Sequence, residues 1–292
     1  HRLQREIIAT QLANEMVNLM GFSYSLRQSI SVGARPPQTA MAFVTVMELF
    51  ELGELWQQVE ALDYAVPTEL QYELFHQIMR LGRRGSRWFL RNKHEVAPQH
   101  TIELMKKDFQ RLMPDIPDMQ GQSWSTMWQQ RRQNWIEQGV PEALAGRIAA
   151  FDAFYLLPGG VDAALTTDVD AHAMMSLQFD LVELLSLDWM FQRLIDWQPD
   201  SRWQDLARES YVDNIEVLLR SLAVGLSQHM EGDSMNVLAS WQSGYTTRID
   251  RYLGMINALR ASATQDLSVF TVIVRELQDL VDASLSGLAQ SG

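Results

Sequence analysis

Residues 67–92 read PTELQYELFHQIMRLGRRGSRWFLRN, and this stretch decides the fold. Pro67-Thr68-Glu69 is a helix opening. Proline at the first position gives up no hydrogen bond there, and an acidic side chain in the first turn complements the helix dipole. The helix then runs to about Asn92. Within it Arg80, Arg84, Arg87 and Arg91 follow i, i+4, i+7 and i+11, with Arg83 beside them and Lys93 just beyond. At 3.6 residues per turn these arginines line one side of the helix. Leu81, Trp88 and Phe89 fall mostly elsewhere and can turn inward.

The same period governs the rest of the chain. From Leu3 the apolar residues fall at Ile7, Ile8, Leu12, Met16, Val17, Leu19 and Met20, before Gly21 stops the helix. Pro36-Pro37 opens a run from Met41 to Phe50, and a further run covers Leu55 to Leu62. Other helices are expected at 99–112, 122–138, 141–156, 170–196, 202–229, 235–260 and 265–286. Pro98, Pro114, Pro117, Pro141, Pro158 and Pro199 sit between the runs, where a missing N–H costs little. No alternating β-branched run meets a hairpin turn signal. The expected fold is all-α, an irregular multi-helix domain of about ten to twelve helices.

Two internal matches suggest duplication. Glu48-Leu49-Phe50-x-Leu52-x-x-Leu55-Trp56-Gln57-x-Val59 parallels Glu183-Leu184-Leu185-x-Leu187-x-x-Met190-Phe191-Gln192-x-Leu194. One residue out of that register, Ile8, Ala9, Leu12 and Ala13 meet Leu144, Ala145, Ile148 and Ala149. Shared helical period alone can produce such matches; true duplication predicts that residues near 5–62 and 141–197 form similar helical modules.

Charge follows the same division. The 292 residues carry 24 Lys+Arg against 36 Asp+Glu, a net charge of −12, and the excess acid lies almost wholly beyond residue 120. The organisation expected is a first helical module over 1–135, holding the Arg-rich helix, and a second, acidic one over 136–292; the two can form one continuous domain. A chain this acidic is repelled by nucleic acid and by anionic membranes, so neither is expected as a partner. No segment approaches the roughly 18 uninterrupted apolar residues of a membrane span. Zero cysteines exclude disulfides, thiolate metal sites and a cysteine nucleophile within these residues. The chain opens on His1 without a helix cap or a signal peptide, which is read as a piece cut from a longer polypeptide.

Catalytic signatures are not found. His1, His76, His94, His100, His172 and His229 show no i, i+4 pair and no H-E-x-x-H, so no metal is expected. Asp168, Asp170 and His172 alternate, but acidic residues ahead of a helix read as caps before they read as ligands. Gly159-Gly160 follows Pro158 and reads as a helix break; there is no glycine-rich dinucleotide loop after a strand. Glu48, Glu51 and Glu54 share a helix face and read as a solvated charged face before an acid–base pair. Trp124, Trp128 and Trp135, at i, i+4 and i+11, read as a core stripe, with an anchor for another domain as the alternative. The arginine stripe is the best local feature. It suits pairing within the chain or a solvated face, docking on an acidic surface of the same protein, or binding a polyanion.

The opening Arg5-Glu6-Ile7-Ile8-Ala9-Thr10-Gln11-Leu12-Ala13-Asn14-Glu15-Met16-Val17-Asn18 resembles the large bacterial NAD-specific glutamate dehydrogenases, in the region after their catalytic domain. Glu60-Ala61-Leu62-Asp63, Arg80-Leu81-Gly82-Arg83-Arg84, Arg87-Trp88-Phe89-Leu90-Arg91, Gly139-Val140-Pro141 and Trp203-Gln204-Asp205-Leu206-Ala207-Arg208-Glu209 are similar too, and in the family's order. The likeness runs from about residue 2 to about 215 and fades beyond. It implies a cytoplasmic parent, a homo-oligomer, that oxidises L-glutamate to 2-oxoglutarate and ammonia with NAD as cofactor. The family's active-site lysines, aspartate and dinucleotide loop match no position here. The resemblance therefore implies no catalytic, cofactor-binding or metal-binding residue in this chain. The role expected is structural, assembly or regulatory, beside the catalytic domain of the same polypeptide; the family assigns the stripe no chemistry, and Arg80, Arg83, Arg84, Arg87 and Arg91 are candidate contacts on the stripe's own spacing. The competing expectation is a free-standing helical module that takes a polyanion or acidic partner on the Arg80–Arg91 stripe.

Overall fold

A computed structural model describes residues 2–93, 96–230, 234–262 and 266–291. His1 and His94, named above, and position 265, where the last expected helix begins, lie outside the described residues. The chain is all-α: sixteen helical segments and no strand among the described residues. They are α1 (Arg2–Met20), α2 (Tyr24–Val32), α3 (Pro36–Leu49), α4 (Leu52–Glu60), α5 (Thr68–Asn92), α6 (Pro98–Leu112), α7 (Ile116–Met119) and α8 (Gln122–Glu137). Then follow α9 (Glu142–Ala149), α10 (Phe151–Phe154), α11 (Leu157–Thr167), α12 (Ala171–Leu184), α13 (Leu187–Ile195), α14 (Arg202–Ser227), α15 (Ser234–Ala261) and α16 (Val269–Ser291).

The sequence suggests fewer helices because it hides two breaks and some short helices. The run 170–196 is divided at Ser186, which sits at φ 52°, a conformation that ends one helix and starts the next. The run 141–156 is broken at Ala150, and α7 and α10 are single turns. Helix α2 carries no strong apolar signal but closes on Gly33, whose φ of 71° lets its N–H reach Ser29 O. Gly159 and Gly160 lie inside α11 and break nothing. A Cβ on Gly160 would stand 2.1 Å from Met175 Sδ, so this glycine serves close helix packing.

The internal match is structural over α3–α4 and α12–α13, but not over α1, an unbroken helix where the matching stretch is split into α9 and α10. Helix α3 starts at Pro36 and α12 at Ala171; they end at Leu49 and Leu184. Helix α4 spans Leu52–Glu60 and α13 spans Leu187–Ile195. Every one of these boundaries keeps one spacing, the same as in the sequence match. The left-handed junction residues correspond as well: Glu51 (φ 55°) with Ser186, and Gly33 with Asp168 (φ 57°). So do the buried positions, with Leu52, Leu55 and Val59 paralleling Leu187, Met190 and Leu194. Two amphipathic helices that merely share a period would not share caps, breaks and left-handed residues at one offset.

The chain divides into two compact units. The first comprises residues up to Pro117 with Thr126–Pro158, and the second Asp118–Ser125 with everything from Gly159 onward. In the first, α3 lies against α5 and α6, and α9 and α10 also rest on α5. Its core holds Phe43, Val46, Leu49, Leu74 and Leu81, and Phe50 meets Phe109 edge-on at 5.1 Å. Gly85 lets α3 approach α5: a Cβ there would stand 3.3 Å from Val46 and Phe50. In the second unit, α14 is met by α12 and α16, and α15 by α16. Trp124 fills a slot beside Phe179 and Phe191, and Tyr252 reaches Met190 Sδ at 3.1 Å. No single helix among the described residues is long and apolar enough to cross a membrane.

Candidate functional site

Helix α5 separates its two kinds of residue. Leu74, Ile78, Leu81, Trp88 and Phe89 are buried, and the arginines point to the other side. The structure places four of the five arginines against groups of their own unit. Arg80 Nη2 donates to Asp152 Oδ1 at 2.8 Å. Arg131 holds the other oxygen of the same carboxylate. Asp152 keeps 7% of its side-chain surface exposed and each of its arginines 25%. Arg84 lies over the ring of Tyr155, 4.1 Å from the centroid, and burial pushes the Tyr155 phenol up. Arg83 donates to Met20 O at 3.2 and 2.7 Å, which closes the C-terminal end of α1. Arg87 donates to Ser31 Oγ at 2.8 Å on α2, and Arg91 is exposed at the end of α5.

This cluster is electrostatically lopsided. Burial, then the like charge of Arg27, pulls Arg83 below the usual arginine range. Burial, then Arg80 and Arg83, pulls His76 below its ordinary value. Asp152 and Tyr155 were missed by reasoning from the stripe alone, yet a signal exists. Residues 149–157 read AAFDAFYLL, with a single acid in an otherwise buried apolar run. Such an acid needs a cationic partner, because burying a lone charge is costly.

The other candidates resolve one by one. The Asp170 side chain accepts from His172 N at 2.9 Å and Ala173 N at 3.2 Å, so it is the N-cap of α12. No group of three His, Asp or Glu among the described residues is arranged to hold a metal. Glu48 pairs with Lys106, Glu51 with Arg147 at 2.7 Å, and Glu54 with Gln58 at 3.0 Å. Burial pushes the Glu51 carboxyl up, but hydrogen bonds from Gln110 and Arg147 outweigh it and hold the group below the usual range. That is the wrong direction for a general acid. Trp124 and Trp135 are core, at 4% and 1% exposure. Trp128 is half-buried and donates from its indole N–H to Gly146 O at 2.9 Å.

One feature is not legible in the sequence. A cleft of about 570 Å³ opens in the first unit between Met113, Pro114, Trp128, Arg132, Arg147 and Phe154. Its charged rim is internally paired, Arg132 with Glu142 and Arg147 with Glu51, over an apolar floor. No strand precedes a glycine-rich turn among the described residues, and Gly160 is filled against Met175.

The arrangement defines an all-helical module whose arginine stripe is met by partners within its own unit. The family model described as "Glutamate dehydrogenase, C-terminal" matches residues 1–279, well past the point where the likeness fades by eye. The chain belongs to this family. It is 32% identical to the NAD-specific glutamate dehydrogenase of Pseudomonas aeruginosa, over 99% of this chain and 18% of that protein. Against the enzyme of the same name from Halomonas elongata it is 32% identical over 97% of this chain and 18% of the relative. Against that of Mycobacterium tuberculosis it is 27% identical over 99% and 18%. The chain thus spans about a fifth of the length of the curated relatives it matches.

Proposed function

We propose that these residues are the carboxyl-terminal helical domain of a cytoplasmic, homo-oligomeric NAD-dependent glutamate dehydrogenase. The parent converts L-glutamate, NAD and water into 2-oxoglutarate, ammonia and NADH; the domain itself carries no step of that reaction. Its work is to support the catalytic part of the same polypeptide, in assembly or in the transmission of regulation. One observation carries the reading: nearly the whole chain matches a family defined by its terminal position, while it spans only 18% of its relatives. The NAD site belongs to the remainder of the polypeptide. Arg80, Arg83, Arg84 and Arg87 also make contacts within the domain, and Arg91 is exposed beside them at the end of α5.

The test is to purify the 292-residue chain, supply glutamate and NAD, and follow NADH absorbance beside the complete enzyme. The domain is expected to give none. Glutamate-dependent NADH formation by the chain alone would overturn the reading.

A further inference from the structure

The duplication makes the two copies informative about each other, because corresponding faces meet different surroundings. In the second copy, α9 and α10 rest on α5, the long helix of the first copy, within one compact unit. Ala145, Ile148 and Ala149 of α9 are buried, at 0%, 1% and 3% exposure. Their counterparts in the first copy lie on α1. Ala9 and Ala13 are exposed and Leu12 half-buried (the side chain of Ile8 lies outside the description). Of all α1 side chains described, Met20 alone is buried, although the helix is 19 residues long.

The contrast continues into the next helix. Leu157 and Val161, at the start of α11, are both 0% exposed. At the same spacing as the α3–α12 match, their counterparts are Phe22 and Leu26, which are 90% and 63% exposed. Leu26 and Ile30 are one helical turn apart on α2 and Phe22 stands in the turn just before it, so exposed apolar side chains run from that turn along the helix. Such a run on a folded domain marks a contact surface. In repeat architectures each module buries its face on the neighbour before it in the chain. The second copy has that neighbour; the first has none within these residues. The relatives that the chain matches are more than five times as long as the matched region, so there is polypeptide in the family to supply one.

We infer that the exposed apolar residues at the start of α2 and along it, Phe22, Leu26 and Ile30, are the seat of the stretch of the parent polypeptide that precedes residue 1. It is held there as α9 and α10 are held on α5. This rests on the reading of the chain as one domain of a longer enzyme, and it names the surface that reading requires. The occupant is a segment of the same chain because the second copy's equivalent face is covered within its own chain. The surface is apolar, so the contacting segment presents an apolar helix face in return.

These 292 residues contain no cysteine, so Leu26→Cys introduces their one thiol. The complete enzyme carrying L26C is treated with a maleimide, and the rate at position 26 is read by peptide mass spectrometry, native and in urea. Burial predicts labelling at least about tenfold slower in the native enzyme. A native rate within about twofold of the unfolded one means an open surface and overturns the inference. A benzophenone amino acid at position 26 then identifies the occupant. A cross-link to peptides preceding residue 1 of the same chain supports the inference; one only between two chains overturns it in favour of a second copy. Both readouts are independent of turnover. NADH formation by the isolated domain would overturn the functional reading and leave this surface standing. Free labelling in a normally active enzyme would overturn the surface alone.

Discussion

Asp152 is the side chain whose removal should cost the first unit most. Its carboxylate receives Arg80 on one oxygen and Arg131 on the other while keeping 7% of its side-chain surface in water. Asp152→Asn preserves volume and leaves no cavity, so the effect is electrostatic. One amide nitrogen would face a guanidinium, donor against donor, and two arginines would lose their counter-charge. Removing one partner of a buried pair costs about 3–5 kcal/mol. Each arginine here keeps 25% of its side chain exposed and can partly rehydrate, which argues for the low end, about 3 kcal/mol. With a urea slope of about 2 kcal/mol per molar, the midpoint should fall by roughly 1.5 M. Fluorescence of the buried Trp88 and Trp135 reports the transition of this unit. Asp162→Asn is the internal comparison. Asp162 holds Arg220 of the second unit, an arginine 32% exposed, and a shift about half as large is expected. Replacing all three members together, Asp152→Leu with Arg80→Met and Arg131→Met, should restore much of the loss, because apolar replacement of a whole buried ion network is often neutral or better. A shift below about 0.5 M with an unchanged slope would refute the reasoning, since it would mean the arginines reach water without penalty.

Three further outcomes can be checked with the same methods. Gly160→Ala on α11 places a Cβ 2.1 Å from Met175 Sδ and 3.2 Å from Gln178 Oε1, both buried on α12 with no room to yield. The clash, about 1–3 kcal/mol, should outweigh the helix-propensity gain of about 1 kcal/mol and lower the melting temperature. His76 has a folded value below its ordinary 6.5, so the unfolded chain takes up a proton first. Stability should therefore be flat above that value and fall as pH drops through it toward the folded value. His76→Gln should flatten the urea midpoint between about pH 8 and about pH 5. Arg84→Glu with Arg87→Glu removes the contacts to Tyr155 and Ser31 and should destabilise the first unit; an unchanged midpoint would leave those contacts without energetic weight.

The fold class was legible because apolar period, proline placement and absent turn signals all agree, and tertiary packing had nothing to override. The helix breaks were less so. Glu51 and Ser186 are neither glycine nor proline, yet both adopt positive φ and split their runs. What holds them there is the burial of the flanking Phe50, Leu52, Leu185 and Leu187, a tertiary effect that local propensity does not record. The partners of the arginine stripe were hidden for a related reason. Arg80 and Asp152 are 72 positions apart, and only the seating of α10 on α5 brings them together. Resemblance, by contrast, depended on order along the chain and needed no geometry.

The copies of the duplication and the compact units do not coincide, and this has a consequence for dissection. By sequence, α9 and α10 open the second copy; by contact, they belong to the first unit. A cut between residues 135 and 136 follows the change in charge, but it separates Arg80 from Asp152 and Glu51 from Arg147. It also removes Phe154, which stacks on Phe50 with a centroid distance of 6.4 Å, and Gly146, whose carbonyl accepts from Trp128. A fragment of residues 1–135 therefore keeps cationic Arg80, Arg84 and Arg131 without Asp152 and uncovers one side of α5. It should show helical circular dichroism but no cooperative urea transition. A fragment of residues 1–158 keeps all of these contacts, while Trp124 in it loses Phe179 and Phe191. It should unfold cooperatively. If 1–135 were to unfold as sharply and at the same midpoint as 1–158, then α9 and α10 contribute nothing to the first unit, and the Asp152 argument falls with them.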